Sequence, residues 1–265
     1  MIIRKGYSDG PEGQVHWRMA CPVSEAVDTD LYCFSPAPFG SIAFVDLLPH
    51  LAQNRRVIAP DYPGQAGSEG GSPTPSIESY AASMLSVIKD LSGDRPVSLL
   101  GFHSGCLVAA EVKLQATDQI NHIFLIDVPA FDPETRAKYL PSVGSVFNPS
   151  GEIDAVAKAW DMAVTKRLTH QPLDQCYAMF ADMVGNGARM NATFHAAFKY
   201  DVEAKLMAVQ GRVTVLATQS SLLEPSRRAA DLIEGANLVE RLDIEGSVLN
   251  ANAKRTAEVI LSRRK

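Results

Sequence analysis

The stretch Leu99 to Glu111, LLGFHSGCLVAAE, restricts the fold more than any other part of the chain. A short apolar run ends at Gly101. Phe102, His103, Ser104 and Gly105 follow, and then an apolar segment of helical character. This layout predicts a strand, a very tight turn and a buried helix. Such a turn strains its central residue and lifts that side chain above the sheet. Strand and helix can then pack closely only if the residues two before and two after the centre are small. Centred on His103, those positions are Gly101 and Gly105. Centred on Ser104, they would be Phe102 and Cys106, and the phenylalanine would clash. The register therefore puts an imidazole at the centre of the turn.

Strand-like and helix-like patterns alternate around this stretch. Leu31 to Phe34 is an apolar run, and Phe44, Leu47, Leu48 and Leu51 fall on one face of a helix. Val57 to Ala59 is the next strand, closed by Pro60-Asp61-Tyr62-Pro63-Gly64, where Asp61 is expected to fix the turn. After a Gly/Ser/Pro-rich loop, Ile77, Tyr80, Ala81, Met84, Ile88 and Leu91 stripe a second helix, with Ser76 as its N-cap. The helix over 104–116 is apolar nearly all round and should be covered on both sides. His122 to Ile126 is another strand. From Pro129 to about 205 the patterns are helical only, over 152–169, 172–184 and 189–200. Alternation resumes with a strand at Val213 to Ala217, a helix over 225–234, a strand at Leu238 to Ile244 and a helix over 251–263. The expectation is an α/β protein with a doubly wound, mostly parallel sheet. Residues 1–129 and 206–265 would form the core domain, and 130–205 a helical lid.

Composition narrows the partners. The 265 residues are 46% hydrophobic and 21% charged, ordinary for a chain that buries a sizeable core. Net charge is −5, and the one basic cluster, Arg263, Arg264 and Lys265, reads as a solvated helix end, so no nucleic-acid partner is expected. Cys21, Cys33, Cys106 and Cys176 lie far apart, without a CxxC pair or a histidine in ligand spacing. Neither a disulfide framework nor a metal site is suggested. No Gly-rich phosphate loop occurs, and no cofactor is expected. The start, MIIRKGYSDG, has no apolar core of a signal peptide, and no 18-residue apolar run exists anywhere. A cytoplasmic protein without a membrane partner is the expectation.

The order of motifs resembles the α/β-hydrolase fold family over nearly the whole chain. GQVHWR at 13–18 is similar to its opening strand, and LYCFSPAP at 31–38 to the strand and oxyanion loop. RRVIAPDYPGQAGSEG at 55–70, the GFHSG elbow at 101–105 and HIFLIDVPAF at 122–131 follow in the family's order. The resemblance implies that His103 stands where the family carries its nucleophile. It implies one oxyanion donor in the backbone N–H of Ser104, whose hydroxyl would cap the helix. Ser35-Pro36 replaces the usual His-Gly; proline has no N–H, which leaves that of Ala37 as a donor. The family's acid follows the strand that here is Val213 to Ala217. Ser220 or Ser221 occupies that turn, and Glu224 comes later, where a first-turn acid suits a helix dipole. The family's histidine follows the last strand, where Val248 or Leu249 stands, and no histidine occurs after His195.

Loss of a triad's nucleophile or base costs about 10⁶ in rate, so hydrolysis by a Ser-His-Asp triad is not expected. The catalytic candidates are His103 as a lone general base, Asp127 to orient it, and Ser104 as the weaker alternative nucleophile. Asp127 has the plainer alternative of a hydrogen-bonded turn residue before Val128-Pro129. Ser35, Ala37, Ser104, His195, Ser221 and Glu224 are the ligand-binding candidates. Cys106 reads as a buried packing residue. Three readings follow: a rewired enzyme acting on a small apolar carbonyl compound, an inactive relative that binds a small ligand between sheet and lid, or a scaffold used for interaction. A small molecule is the expected partner, and a homodimer stays open. A hydrogen bond between His103 and Asp127 would favour the first reading; an unpartnered His103 would favour the second.

Overall fold

Eight strands form one sheet among the residues that the computed structural model describes, 3–23, 26, 28–143 and 153–263. They are β1 (Ile3–Gly10), β2 (Gly13–Ala20), β3 (Leu31–Phe34), β4 (Val57–Pro60), β5 (Val97–Phe102), β6 (Ile120–Ile126), β7 (Val213–Gln219) and β8 (Asn237–Glu245). Their order is β1-β2-β4-β3-β5-β6-β7-β8. β2 pairs antiparallel with β1 and β4; every other pair is parallel. The helices are α1 (Leu47–Leu51), α2 (Ile77–Ser92), α3 (Ser104–Gln115), α4 (Pro133–Val143), α5 (Ile153–Trp160), α6 (Leu173–Gly185), α7 (Ala192–Lys199), α8 (Val202–Ala208), α9 (Leu223–Leu232) and α10 (Ala253–Ser262). The mostly parallel, doubly wound sheet expected from the alternation is present, and a helical insertion lies between β6 and β7.

Period-two alternation sends successive strand residues to opposite faces. Tyr32, Phe34, Ile58, Leu99, Ile123, Leu125 and Val215 join a cluster with α2, α3 and α9. Leu31, Cys33, Val57, Ala59, Leu100, Phe124 and Leu216 join a second cluster with α1, α10 and part of the insertion. The central strands are buried on both faces, which explains their nearly unbroken apolar runs. Residues Ser104 to Lys113 of α3 are all buried, as the apolar character of that helix requires.

Several elements differ from their sequence patterns for local reasons. β1 has a mostly polar sequence, IRKGYSDG, and no apolar period; its ladder with β2, from Ile3↔Ala20 to Gly10↔Gly13, holds it at the sheet edge. The helix expected from Phe44 splits into a 3₁₀ turn, Ser41–Phe44, and α1. Starting at Leu47 places Pro49 in the first turn, where its missing N–H removes no helical bond. The α2 start is as expected: Ser76 accepts from the Ser79 N–H at 3.1 Å, and Ser79 closes the box on the Ser76 N–H at 3.2 Å. α4 has too weak an apolar stripe to be seen by period. Its start carries a signal nonetheless, since Pro133 opens it and Asp132 accepts from the N–H and hydroxyl of Thr135 at 2.8 and 2.6 Å.

The first insertion helix is also interrupted. Beyond α5, Asp161–Thr165 form a wider turn, closed by the Lys166 N–H on the Asp161 carbonyl at 3.0 Å. Residue 152, the expected start of that helix, and Arg264 and Lys265 lie outside the described residues. Residue 205 falls inside α8, which packs on α3 and α9.

The closest strand–helix approach predicts a mutational outcome. A Cβ at Gly105 would stand 2.0 Å from the Phe34 carbonyl oxygen and 2.6 Å from its carbon. Gly105→Ala should therefore lower unfolding stability by about 1–3 kcal/mol in a urea titration, despite its better helix propensity. A neutral or stabilising result would disprove the tight approach.

Candidate active site

The turn between β5 and α3 has the register that the glycines require. A Cβ at Gly101 would meet the Cα and N of Cys106 at 2.5 Å, so only glycine fits there. His103 sits at the centre with φ 50° and ψ −122°, in the left-handed half of backbone space. Its N–H donates to the Ile126 carbonyl at 3.0 Å, and its carbonyl accepts from the Cys106 N–H at 2.9 Å. The strained conformation is thus held from both sides.

The imidazole lines a cavity of about 210 Å³. The wall gathers residues from the carboxyl ends of the parallel strands, where open α/β sheets bind ligands. Pro36 and Phe39 follow β3; Phe102 ends β5 and His103 follows it; Asp127 follows β6. Ser220 follows β7, and Gly246 to Asn250 follow β8. The insertion contributes Arg167 and Met179. The lining is largely apolar, with His103, Asp127 and Arg167 as its ionisable groups.

His103 has no side-chain hydrogen bond among the described residues; its ring lies against Phe102, with centroids 4.0 Å apart. Burial, reinforced by the field of Arg167, pushes its pKa down to about 4. The ring is neutral at pH 7 and keeps one donor and one acceptor nitrogen.

Asp127 serves a different partner. Its Oδ1 accepts from the Thr218 N–H at 2.9 Å and its Oδ2 from the Thr218 hydroxyl at 2.7 Å. The residue is fully buried and has φ 51°. Burial raises its pKa, against hydrogen bonds from Thr218 and Ser220 that lower it. No hydrogen bond joins it to His103. The arrangement is that of the plainer alternative, a clamp between the ends of β6 and β7.

Ser104 and Ala37 meet each other. The Ala37 N–H donates to the Ser104 Oγ at 2.8 Å. The hydroxyl thus ties the β3 loop to the start of α3 and does not cap its own helix, as had been expected. The Ala37 N–H, expected as an oxyanion donor, is engaged in this bond. Ser104 is buried and stands outside the cavity lining. Ser35 is fully buried behind Pro36, and its Oγ has no partner.

The remaining candidates are dispersed. Ser221 is exposed, while its neighbour Ser220 reaches the wall. Glu224 is exposed on the first turn of α9 and pairs with Arg227 at 2.5 Å. His195 lies on α7, half-buried and away from the cavity lining. Val248 and Leu249 line the cavity where the resemblance would put a histidine. Asp61 has the expected structural role: it accepts from the Ser41 N–H at 2.5 Å, the Gly67 N–H at 3.1 Å and pairs with His16 Nδ1 at 2.7 Å. The Cys106 thiol is buried, donates to the Gly101 and Ile126 carbonyls at 3.3 and 3.2 Å, and is pushed well above the usual thiol range by burial. Such a thiol is inert.

Sequence patterns did not single out Arg167 or Phe39, whereas Met179 lies in CYAMFADMVGNGARMNATFHAAF, a stretch whose Met, Phe and Ala suit either a cavity wall or plain helix packing. Arg167 stands in KRLTH, where its neighbour Lys166 is a solvent-facing cation of the same charge. Nothing in that string distinguishes a wall residue from a surface one. Among the described residues, no cluster of three or more His, Cys, Asp and Glu is placed to hold a metal. No helix among them is long and apolar enough to cross a membrane.

Comparison with known proteins agrees with this architecture. The model of a family described as "Thioesterase domain" matches residues 29–142. No curated protein matches the chain. Among solved structures, the enol-lactonase from Burkholderia xenovorans is similar at TM-score 0.78 and 16% identity, covering 97% of this chain and 98% of that one. The carboxylesterase CesB from Bacillus subtilis aligns at TM-score 0.75 and 15% identity, over 99% and 91% of the two chains. The thioesterase domain from the curacin biosynthetic pathway aligns at TM-score 0.72 and 16% identity, over 99% and 100%.

The depressed pKa of His103 has a sign that can be measured. The unfolded chain takes up a proton near the ordinary histidine value of 6.5, but the folded site holds out to about 4. Its stabilising contribution is complete above pH 6.5 and is lost as pH falls towards 4. His122, also lowered to about 4, acts in the same direction. His103→Asn, which suits a positive φ, should flatten the pH dependence of unfolding in that window by up to about 1.4 kcal/mol per pH unit. Urea titrations at pH 4.5, 5.5 and 6.5 test this; identical slopes in both proteins would contradict a buried neutral imidazole.

Proposed function

Starting from an α/β-hydrolase fold, we propose that this chain takes a small, largely apolar carbonyl compound into the His103 chamber and handles it without a Ser-His-Asp triad. The observation that carries the reading is the unpartnered, neutral imidazole at the centre of the elbow. A neutral ring can donate one hydrogen bond to a carbonyl oxygen and accept another at its second nitrogen. The surrounding wall of Phe39, Ala43, Met179, Val248 and Leu249 suits the hydrocarbon part of such a ligand. Ser104 is not poised for acyl attack: its oxygen accepts from Ala37, and His103 is the one histidine of the cavity wall. Binding is the reading that this geometry supports best.

A second reading is supported by the strain at His103, since a positive φ at a non-glycine is retained where position matters. There the imidazole acts as a lone general base. Its free nitrogen takes a proton from the carbon next to the bound carbonyl, the electron pair of that C–H bond becomes the C=C bond of an enolate as the carbonyl π pair moves to oxygen, and the proton then returns from the imidazolium to carbon. A pKa of about 4 makes this base weak in the free protein.

Mass spectrometry of small molecules retained through native purification tests the main reading. The wild type should retain a carbonyl compound, and His103→Asn should hold it about tenfold less tightly. Absence of any ligand from both proteins, together with no binding of added ketones or esters, would sink the proposal. In D₂O, exchange of the α-hydrogens of the bound compound, lost in His103→Asn, would select the base reading. A fluorophosphonate probe should leave Ser104 unlabelled; stoichiometric labelling there would replace both readings with serine catalysis.

A further inference from the structure

Arg167 stands in the wall of the same chamber without an anionic partner among the described residues. Its Nε donates to the Met162 carbonyl at 3.3 Å and its Nη1 to the Gln171 Oε1 at 3.4 Å, both long bonds to neutral acceptors. Its guanidinium carbon lies 4.7 Å from the centre of the Phe39 ring. No carboxylate is within salt-bridge distance, and no further hydrogen bond of this side chain exists among the described residues. A guanidinium carries five N–H donors in a rigid fork, so most of its bonding capacity is unused. Arg167 is half-buried, and burial pulls its pKa down from the usual arginine value. A partly desolvated cation in a cavity wall with no counter-charge beside it is a place for an anion supplied from outside.

We propose that Arg167 is the docking group for a carboxylate carried by the ligand of the His103 chamber. The proposal rests on the ligand-chamber reading above and narrows it to a small oxo acid, with its carboxylate at Arg167 and its carbonyl at His103. A carboxylate matches the guanidinium fork, two oxygens to two N–H groups. A phosphate fits less well. Arg167 is the one lysine or arginine in the wall, and the other contacts are mostly apolar, so the second charge of a phosphate would stay buried and unpaired. The cavity of about 210 Å³ also limits the ligand to a small molecule. The Phe39 ring flattens one side of the guanidinium and leaves its edge to the anion.

The placement of Arg167 has a local structural origin. It stands two residues beyond the wide turn Asp161–Thr165, and its own N–H closes on the Val164 carbonyl at 2.9 Å. Wide turns of this kind recur at functional sites because they re-aim the next side chains.

Isothermal titration with matched acids and amides tests the proposal: 4-oxopentanoate, 5-oxohexanoate and 3-phenyl-2-oxopropanoate, each against its primary amide. The wild type should prefer the acid by about tenfold or more in at least one pair, the usual scale for a charge-assisted pair of bonds. Arg167→Met should bind acid and amide alike, with the larger loss on the acid. Arg167→Lys should restore part of the preference. Thermal unfolding of Arg167→Met should show no loss of Tm, since an uncompensated cation is removed; if that variant does not fold, the wild-type ratio and Arg167→Lys decide. Equal binding of acid and amide to the wild type, or a preference that survives in Arg167→Met, would overturn the role of Arg167 and leave the chamber reading standing. Failure of every acid and every amide to bind the wild type would overturn both.

Discussion

The contact between the Phe34 carbonyl and Gly105 lets β5 turn directly into α3 and lets α3 lie against the sheet. No side chain larger than hydrogen fits at Gly105 or at Gly101. Once those two positions are fixed, the intervening residues have little freedom. His103 must take a positive φ, its ring must rise above the carboxyl edge of the sheet, and Ser104 must enter the first turn of the helix. The bond from the Ala37 N–H to the Ser104 Oγ then ties the β3 loop to the same point. Cavity wall and sheet core are therefore one construction. The residues that close-pack the strand on the helix are the residues that present the imidazole.

Polar groups around this construction are largely satisfied by one another. Asp127 is held by Thr218, and the two elements expected to stabilise an oxyanion, the Ala37 loop and Ser104, are joined directly. Each pairing contributes on the order of 1 kcal/mol or more as a buried bond. Of the ionisable groups in the cavity wall, His103 and Arg167 remain without a strong partner. Both are pulled towards their neutral forms by burial, and the cation also depresses the imidazole. Two uncompensated groups in one wall are a cost to the free protein, in keeping with the rule that functional sites retain what a purely structural core would discard.

Much of the framework was legible because it is written in period and in small residues. The apolar runs at 31–34, 57–59 and 97–100 mark strands buried on both sides, and the glycine spacing alone decided between His103 and Ser104 as the turn's centre. The N-cap of α2 was visible as Ser76. β1 was not, because an edge strand paired on one side needs no apolar face. The site was half legible. The elbow, the missing histidine at Val248 and Leu249 and the turn at Ser220 all follow from position in the chain. Asp127 shows the limit of such reasoning. Its position at the carboxyl edge allowed either an orienting acid or a turn clamp, and only the neighbouring Thr218 on β7 decides between them. Arg167 was illegible for a different reason. It lies in the non-helical turn that follows the wide turn Asp161–Thr165, so helical spacing cannot say which of Lys166 and Arg167 points inward.

The pairing of a lone cation with a lone imidazole constrains what chemistry the chamber can support. With Arg167 uncompensated, its field opposes any second positive charge in the wall, and protonation of His103 is disfavoured. An anion seated on Arg167 cancels that field and, by the same argument, makes the imidazole a better proton acceptor. A neutral ligand leaves the field in place and leaves His103 a hydrogen-bonding group only. If a carboxylate docks at Arg167 as proposed, its binding and the basicity of His103 would be coupled through that charge, while burial, the larger cause of the depressed imidazole, would remain.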